Sequence, residues 1–414
     1  MFVDYEKIGN IVGFCKDFFY QLKLKQNLNY INKNQKKVLK TKKNKTSLNV
    51  VFYVYDESKW KSQSVYNLME KDCRFNPLIV VTKNCAVEGN ANYQTVEDVE
   101  KCYEYFKSRG MNVEYGYDTK KNNFIPFEVF EPDIIIYSHP WYVYKTQGPV
   151  VCSKFALTYY IPYFIPASEQ WHEYGLRFHQ YLYKHYVSTD LIKNFYSKNM
   201  SFNSKSLRVV GHPVFDEYLN SNDNEFSSKY IIYAPHWTVC GDNLRFGTFD
   251  WSGEKILEFA QNHKELNWIF RPHPLLYKFI LTSGFMTKEK IDNYYNEWKS
   301  FALYSEGEYT NLFNQSYAMI TDCGSFLTEY FITGNPVIHL VSDKFIPNKT
   351  VEMIDKTYYT VHNPEELEQY LKDIILDKND YKKDARKELL ETLNLKNGSS
   401  AERIINDILT DFNA

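Results

Sequence analysis

Short apolar runs that each end in a polar turn recur along this 414-residue chain, and they constrain its fold more than any other feature. Patterns with helical spacing lie between many of them, for example at residues 95–110 and 254–266. Apolar strands that alternate with helices form parallel sheets covered on both faces, and a chain of this length exceeds one ordinary core. We therefore expect two parallel sheets. The runs, in chain order, are NVVFYVY, PLIVV, DIIIYS, FALTYYI, LRVV, YIIYA, WIF, YAMI and PVIHL.

The composition is that of a globular protein, with 44% apolar and 24% charged residues. The seven cysteines show no CxxC or CxxH spacing, which argues against a zinc site or a disulfide framework and favours a reducing compartment. No apolar run is long enough to span a membrane, and no signal peptide is recognisable. We expect a cytoplasmic protein without a metal site.

The N-terminal segment is strongly basic, although the formal net charge of the chain is only −2. No Asp or Glu occurs from Phe18 to Tyr55, and residues 34–47 are rich in lysine. Residues at helical spacing precede this stretch, namely Ile8, Ile11, Val12, Cys15, Phe18, Phe19 and Leu22. Two interpretations stay open: an amphipathic helix packed on the body and followed by a solvated linker, or an element that docks on an anionic membrane. Nothing else in the sequence supports nucleic-acid binding.

Composition shifts divide the chain into segments. We expect a basic arm at residues 1–46 and an acceptor-side Rossmann-like domain at 47–200, which ends in the polar stretch 197–206. A donor-binding Rossmann-like domain follows at 201–390, and a helix at 391–414 crosses back to the first domain.

Chemically active side chains follow several predicted strands directly, at the place where open parallel sheets bind their ligands. His139 follows DIIIYS, and His236 follows YIIYA. Arg271 and His273 follow WIF, with prolines that stiffen the turn between them and after them. Two sheets whose strand ends face one cleft form the arrangement of a GT-B transferase.

Residues 321–340, TDCGSFLTEYFITGNPVIHL, read as the end of a strand, a polar turn, a short helix and another strand. Gly324 permits close approach of the backbone to a ligand, and Ser325 lies where helix N–H groups are free. Helix capping by Asp322 or Ser325 is an equal alternative. Glu329 is placed either to bind a ribose hydroxyl or as an exposed helix glutamate.

The side chains suggest roles in phosphate chemistry. Arg271 is suited to clamp a diphosphate, with pairing to a carboxylate as the alternative, and His273 can donate to a phosphoryl oxygen. His139 is the candidate general base from the first domain, and His236 competes for that role.

Other histidines are interpreted as structural. His212 lies in a Gly-His-Pro turn, close to Asp216. The spacing of His172, His179 and His185 is not that of a metal site.

The motifs GHPVFDEY, YAPHWT, FRPHPLL and ITDCGSFLTEYFITGNPVIHL occur in this order. Together they resemble the CDP-glycerol glycerophosphotransferase family of teichoic-acid and capsule polymerases, over about residues 130–345. The resemblance implies a GT-B fold, a CDP-linked polyol phosphate donor, and polymer synthesis at the inner face of the membrane.

Carried over by motif, the resemblance implies that His273 assists at the diphosphate and that Ser325 binds it, with Thr321 and Asp322 in the same motif. His139 lies near the position of the family's base, but here in Ser-His-Pro-Trp instead of Trp-His-Gly-Thr. The family's YAPT turn with a nearby Arg is YAPHWT here, so His236 or Arg245 takes over or the donor differs.

The resulting hypothesis is a phosphotransferase that moves glycerol phosphate, or a related group, from CDP to a hydroxyl of a cell-surface glycan or polymer and releases CMP. No DxD motif lies in a suitable loop, so no metal or other cofactor is required. One alternative is a GT-B glycosyltransferase that uses a nucleotide sugar. The other is a non-catalytic scaffold of a membrane-bound capsule assembly complex.

Overall fold

The computed structural model describes residues 5–88, 93–169, 176–200, 203–219, 230–239, 246–307, 309–393, 395 and 398–412, with side chains from Gln21 onward. The helices of these residues are α1 Tyr5–Lys42, α2 Gln63–Lys71, α3 Val96–Lys107, α4 Pro149–Cys152, α5 Arg177–Gln180, α6 Asp190–Asn199, α7 Asp216–Leu219, α8 Phe249–Asn262, α9 Leu276–Thr282, α10 Lys288–Phe301, α11 Thr310–Gln315, α12 Gly324–Glu329, α13 Lys349–Asp355, α14 Pro364–Tyr370, α15 Lys383–Leu393 and α16 Ser400–Phe412. The strands are β1 Leu48–Val54, β2 Phe75–Val81, β3 Val113–Tyr115, β4 Tyr117–Asp118, β5 Asn123–Phe124, β6 Ile134–Tyr137, β7 Leu157–Tyr160, β8 Lys184–Val187, β9 Leu207–Val209, β10 Tyr230–Ala234, β11 Asn267–Phe270, β12 Leu303–Tyr304, β13 Ser316–Thr321, β14 Val337–Leu340 and β15 Tyr359–Val361.

Two parallel sheets organise the chain. The first has seven strands in the order β3-β2-β1-β6-β7-β8-β9, and the second has six in the order β12-β11-β10-β13-β14-β15. Strands β1, β6, β10 and β13 are almost wholly buried, because helices cover both faces of each sheet. Each apolar run of the sequence forms a strand, so the prediction of two doubly wound parallel sheets is confirmed.

Sheet order brings the sequence motifs together. In the first sheet β1 and β6 are neighbours, and in the second sheet β10 lies between β11 and β13. Residues 316–340 form β13, α12, a 3-10 turn at Tyr330–Thr333 and β14, as predicted. Gly334 ends the turn at φ 73°, in the left-handed region that glycine enters without a steric penalty.

The domain boundary at residue 201 assigns the strand LRVV to the second domain, and this assignment is wrong. It forms β9, which pairs with β8 in the first sheet, and the chain enters the second sheet only at β10. The run pattern does not reveal β8, because its sequence, KHYV, begins with Lys184 and His185, which are nevertheless buried. The ammonium group of Lys184 is paired with Asp407 at 2.7 Å and Asp411 at 2.5 Å.

Helix α16 returns from the second domain and covers the first sheet. Its residues Ile404, Ile408 and Phe412 are fully buried in the core that contains β1 and β2. Asp216 holds the start of the helix, because its carboxylate accepts hydrogen bonds from the backbone N–H groups of Ser400 at 2.7 Å and Ala401 at 2.8 Å. Asp216 is therefore structural.

Helix α1 is one continuous helix of 38 residues that includes part of the lysine-rich stretch, so the interpretation of that stretch as a solvated linker is wrong. Leu24, Leu28, Ile31 and Val38 form a buried stripe against the first domain. At its end, Lys42 and Lys45 pair with the buried carboxylate of Asp133 at 2.6 and 2.8 Å.

The predicted apolar positions from Ile8 to Phe19 lie outside the residues whose side chains the structure describes, and Leu22 is exposed. None of the helices in the described ranges is long and apolar enough to cross a membrane.

Candidate active site

The motif-bearing strand ends of the two domains meet at one interface. The loop at residues 55–61, which follows β1, reaches the second domain, where the Lys61 ammonium donates a hydrogen bond to the Tyr309 hydroxyl at 2.7 Å. The same ammonium lies 4.0 Å from the centre of the Tyr309 ring. His139 follows β6 beside this loop, and His236 and His273 follow β10 and β11 on the opposite side.

His273 is held as a neutral hydrogen-bond donor. Its Nδ1 accepts the backbone N–H of Leu275 at 3.1 Å, which leaves the ring proton on Nε2. Burial, and then the charge of Lys59, lower its pKa to about 3. The imidazole is therefore neutral at physiological pH and presents an N–H group.

His236 is held in the same way. Its Nδ1 lies 2.9 Å from Thr238 Oγ1 and accepts the Thr238 backbone N–H at 3.3 Å. Thr238 Oγ1 accepts the Gly247 N–H at 2.7 Å, so its own proton is directed to His236. Burial lowers the pKa of His236 well below its usual value. The rings of His236 and His273 are 5.3 Å apart, which gives two neutral N–H donors side by side.

His139 differs from both of these histidines. Its side chain is fully buried, its Nδ1 lies 2.8 Å from Ser138 Oγ, and its Nε2 has no hydrogen-bond partner in the described part of the chain. When Nδ1–H donates to Ser138, the lone pair of Nε2 is available to accept a proton. Burial, and then the charge of Lys59, lower the pKa of His139 well below its usual value.

Arg271 is turned towards its own domain. Its guanidinium donates to Ser305 Oγ at 2.8 Å and to the Gly307 carbonyl, and it lies 4.8 Å from the centre of the Tyr309 ring. The group therefore contacts Ser305, Gly307 and Tyr309 at the edge of the cleft.

Glu329 is not an exposed helix glutamate, so that alternative is wrong. Its side chain is buried, and its carboxylate accepts a hydrogen bond from the Tyr309 hydroxyl. Burial raises the pKa of the Glu329 carboxyl above its usual value, although the charge of Lys61 acts in the opposite direction. Lys61, Tyr309 and Glu329 thus form one polar connection between the two domains.

Thr321 and Asp322 organise the junction of β10 and β13. The Thr321 hydroxyl donates to the Ala234 carbonyl at 2.7 Å. The Asp322 carboxylate accepts the backbone N–H groups of His236 at 2.6 Å and Thr248 at 2.7 Å. The pKa of Asp322 is raised to about 6, because the effect of burial exceeds the opposite effect of these hydrogen bonds. Both side chains are bonded within the protein and hold the turn that carries His236.

Gly324 and Ser325 begin α12. A Cβ atom at Gly324 would lie 2.5 Å from the ring of Phe246 and 3.2 Å from the Cβ of Ala167, so close packing requires the glycine. The N-cap residue of α12 is Cys323, and no side chain caps the helix. The alternative that Asp322 or Ser325 caps this helix is therefore wrong. The Ser325 hydroxyl is partly buried, 3.6 Å from Cys323 Sγ.

His212, His179 and His185 are buried and engaged within the protein. His212 Nε2 is 2.8 Å from the Pro162 carbonyl, and His179 and His185 are stacked, with ring centres 5.2 Å apart, in the first domain. His172 and Arg245 lie outside the described residues. Within the ranges described, no group of three or more His, Cys, Asp or Glu residues is placed to hold a metal ion.

Lys59, Lys61 and Tyr309 were not recognised from the sequence. The rule that found the histidines also applies to Asp56, Lys59 and Lys61, because they follow the run NVVFYVY directly. Tyr309 follows no long apolar run, and nothing local marks it.

The chain is similar to known proteins in sequence and in fold. A family described as CDP-glycerol:poly(glycerophosphate) glycerophosphotransferase matches residues 168–410. No sequence among curated proteins matches the chain. The solved wall teichoic acid polymerase TagF has a TM-score of 0.59 at 14% identity, over 96% of this chain and 98% of that chain.

Two further solved structures are similar in fold. The UDP-GlcNAc 2-epimerase of Neisseria meningitidis with UDP-GlcNAc has a TM-score of 0.54 at 15% identity, over 88% of this chain and 100% of that chain. MnaA of S. aureus with UDP has a TM-score of 0.55 at 13% identity, over 88% of this chain and 97% of that chain. At these identities the likeness concerns the fold, and it confirms the predicted GT-B-like arrangement of two domains.

Proposed function

Since the chain belongs to the CDP-glycerol:poly(glycerophosphate) glycerophosphotransferase family, an enzyme family, we propose that it transfers glycerol phosphate, or a related polyol phosphate, from a CDP-linked donor to a hydroxyl of a teichoic-acid or capsular polymer. One observation carries the proposal. Two neutral imidazole donors of the second domain, 5.3 Å apart, lie across the cleft from His139, whose Nε2 has no partner among the described residues.

The reaction assigns a separate role to each histidine. The acceptor oxygen attacks the phosphorus of glycerol phosphate, and the bond from this phosphorus to the bridging oxygen breaks. CMP leaves with the electron pair of that bond, and His139 Nε2 takes the acceptor proton. The N–H groups of His236 and His273 bind non-bridging oxygens and stabilise the charge of the transition state.

The remaining motif residues would hold the donor. Glu329, which is buried beside Tyr309, would bind a ribose hydroxyl. Ser325 would bind the diphosphate, and Arg271 would position Ser305 and Gly307 beside the nucleotide. Thr321 and Asp322 would act through the turn that carries His236.

A donor panel tests the proposal. Purified protein is incubated with CDP-glycerol, other CDP-polyols and UDP- or GDP-sugars in the presence of an acceptor, and the released nucleotide is identified. CMP from a CDP-polyol supports phosphotransfer. Release of UDP or GDP from a nucleotide sugar would instead establish glycosyl transfer and contradict the proposal.

We expect transfer to continue in the presence of EDTA. Imidazole N–H groups and lysine side chains at the domain interface can supply positive potential to the phosphates, and the sequence offers no metal-binding motif. The measurement compares CMP release before and after chelation. Complete loss of activity that magnesium restores would contradict this mechanism.

The exposed face of α1 would bring the enzyme to the anionic inner surface of the cell membrane. Lys33, Lys36 and Lys40 are exposed along one side of the helix, opposite the buried stripe, and Lys43 directly after the helix is exposed as well. Basic residues close to an anionic surface each contribute about 1 kcal/mol of attraction. The acceptor polymer would be reached there.

We expect the double variant Lys36→Gln/Lys40→Gln to bind anionic vesicles roughly thirtyfold more weakly at low salt, because about 2 kcal/mol of attraction is lost. Vesicle sedimentation measures the effect. The matched control replaces Lys383 and Lys387, an exposed pair with the same spacing on α15. Equal binding by both double variants would show that α1 does not face the membrane.

A further inference from the structure

The loop at residues 55–61 is built to hold a rigid position at the cleft. A 3-10 turn spans Glu57–Lys59, and the Asp56 carboxylate caps it by accepting the Ser58 N–H at 3.0 Å. Trp60 fixes the end of the turn, because its ring packs in the core at 5.4 Å from Phe52. Lys59 and Lys61 lie on either side of this anchor.

Lys59 lies beside the candidate base. Its ammonium pairs with Asp56 at 3.2 Å and lies 4.9 Å from the centre of the Tyr55 ring. The Lys59 side chain remains 22% exposed. The Tyr55 ring is in turn 3.8 Å from the ring of His139. Lys59 and the imidazole of His139 therefore contact the same aromatic ring.

The charge of Lys59 acts on both sides of the cleft. After burial, it lowers the pKa of His139 in the first domain and of His273 in the second, while Asp56 acts in the opposite direction on both. The phenols of Tyr55 and Tyr163 also lie beside it, with ring centres 4.9 and 5.7 Å from the ammonium.

Other cations at this interface are already engaged. Arg271 donates to Ser305 and Gly307, and Lys61 donates to Tyr309. A diphosphate donor brings negative charge into the space between the domains. The Lys59 ammonium carries three donor hydrogens, and its pairing with the Asp56 carboxylate does not use all of them.

We propose that Lys59 is a catalytic residue whose ammonium binds a non-bridging oxygen of the phosphoryl group during its transfer, between the acceptor at His139 and the leaving CMP at His273. The inference rests on the proposed function and adds a cation that the first domain supplies. Domain closure on the donor would then place the charge against the group that moves. A charge that acts mainly in the transition state raises turnover more than it tightens donor binding.

The test compares Lys59→Met, which keeps most of the side-chain length without the charge, with Lys59→Arg, which keeps the charge. Lys101→Met is the matched control, because Lys101 pairs with Glu57 of the same turn at 2.9 Å and its side chain is 77% exposed. We expect Lys59→Met to lower kcat about 10²–10³-fold, the usual effect of removing a transition-state donor. CMP affinity and thermal midpoint should stay at the wild-type level, and Lys59→Arg should recover part of the rate.

The pH profile gives a second readout. Without the Lys59 charge, His139 is protonated more easily, so the acid limb of kcat should move to higher pH in Lys59→Met and stay in place in Lys101→Met. A kcat and an acid limb like those of the wild type in Lys59→Met would overturn the inference and leave the proposed function intact. Wild-type protein that releases no CMP from any CDP-polyol would overturn both.

Discussion

His139→Gln is expected to lower turnover by about 10²–10⁴-fold, the usual contribution of a positioned general base. Nε2 of His139 has no partner in the described part of the chain and can take a proton. Nδ1 of His236 and of His273 instead accepts a backbone N–H, which leaves the ring proton of each on Nε2. Glutamine keeps the polarity and approximate size of the side chain but accepts no proton. Donor affinity should therefore stay close to that of the wild type.

Single-turnover kinetics and calorimetric titration with CDP-glycerol separate these two effects. His263→Gln is the control, because His263 lies at the surface beside Glu265, at 3.1 Å. If His139→Gln keeps more than about a tenth of the activity, His139 is not the base, since a general base contributes more than that.

His273→Ala is expected to lower kcat by about 10²–10³-fold, because it removes an N–H donor to a non-bridging phosphoryl oxygen that carries negative charge in the transition state. Burial and the charge of Lys59 keep the pKa of His273 at about 3. The ring is neutral above that value and protonated only below it, so at ordinary assay pH it donates a hydrogen bond without titrating.

The pH profile checks this role of His273. A basic limb near neutral pH that disappears in His273→Ala would show that the residue works as a titrating acid and would contradict its role as a neutral donor. An unchanged kcat in the variant would remove His273 from the site altogether. His263→Ala serves as the control here as well.

Much of the candidate site can be located from the sequence alone, because a buried parallel strand must be apolar and its ligand-binding end polar. That rule predicts His139, His236, Arg271 and His273 at strand ends, and the structure has them there. It also applies to Lys59 and Lys61, although these were not singled out. Side-chain direction is beyond the sequence, as Arg271 shows by turning to Ser305 and Gly307.

Contacts that depend on domain docking are also beyond the sequence. The pairing of Lys61 with Tyr309 joins residues 248 positions apart and follows from the docking of one sheet on the other. The same applies to β8 and its buried Lys184, whose charge is acceptable in the core only because α16 brings two aspartates to it.

The N-terminal helix shows how charge can obscure periodicity. The lysine-rich stretch suggests a linker, but Leu24, Leu28 and Ile31 recur at helical spacing before it and Val38 continues this spacing inside it. Lysine is itself a good helix former. A count of apolar spacing that extended beyond Leu22 would have predicted the continuous helix.

Phosphorus-31 NMR of the wild-type protein with CDP-glycerol and a soluble polyol-phosphate acceptor tests the proposed transfer most directly. We expect the two pyrophosphate signals to disappear together, with a CMP monoester signal and a new phosphodiester signal in their place, only when acceptor is present. Intact pyrophosphate signals after prolonged incubation, or a product that retains the pyrophosphate as CDP, would contradict transfer at phosphorus.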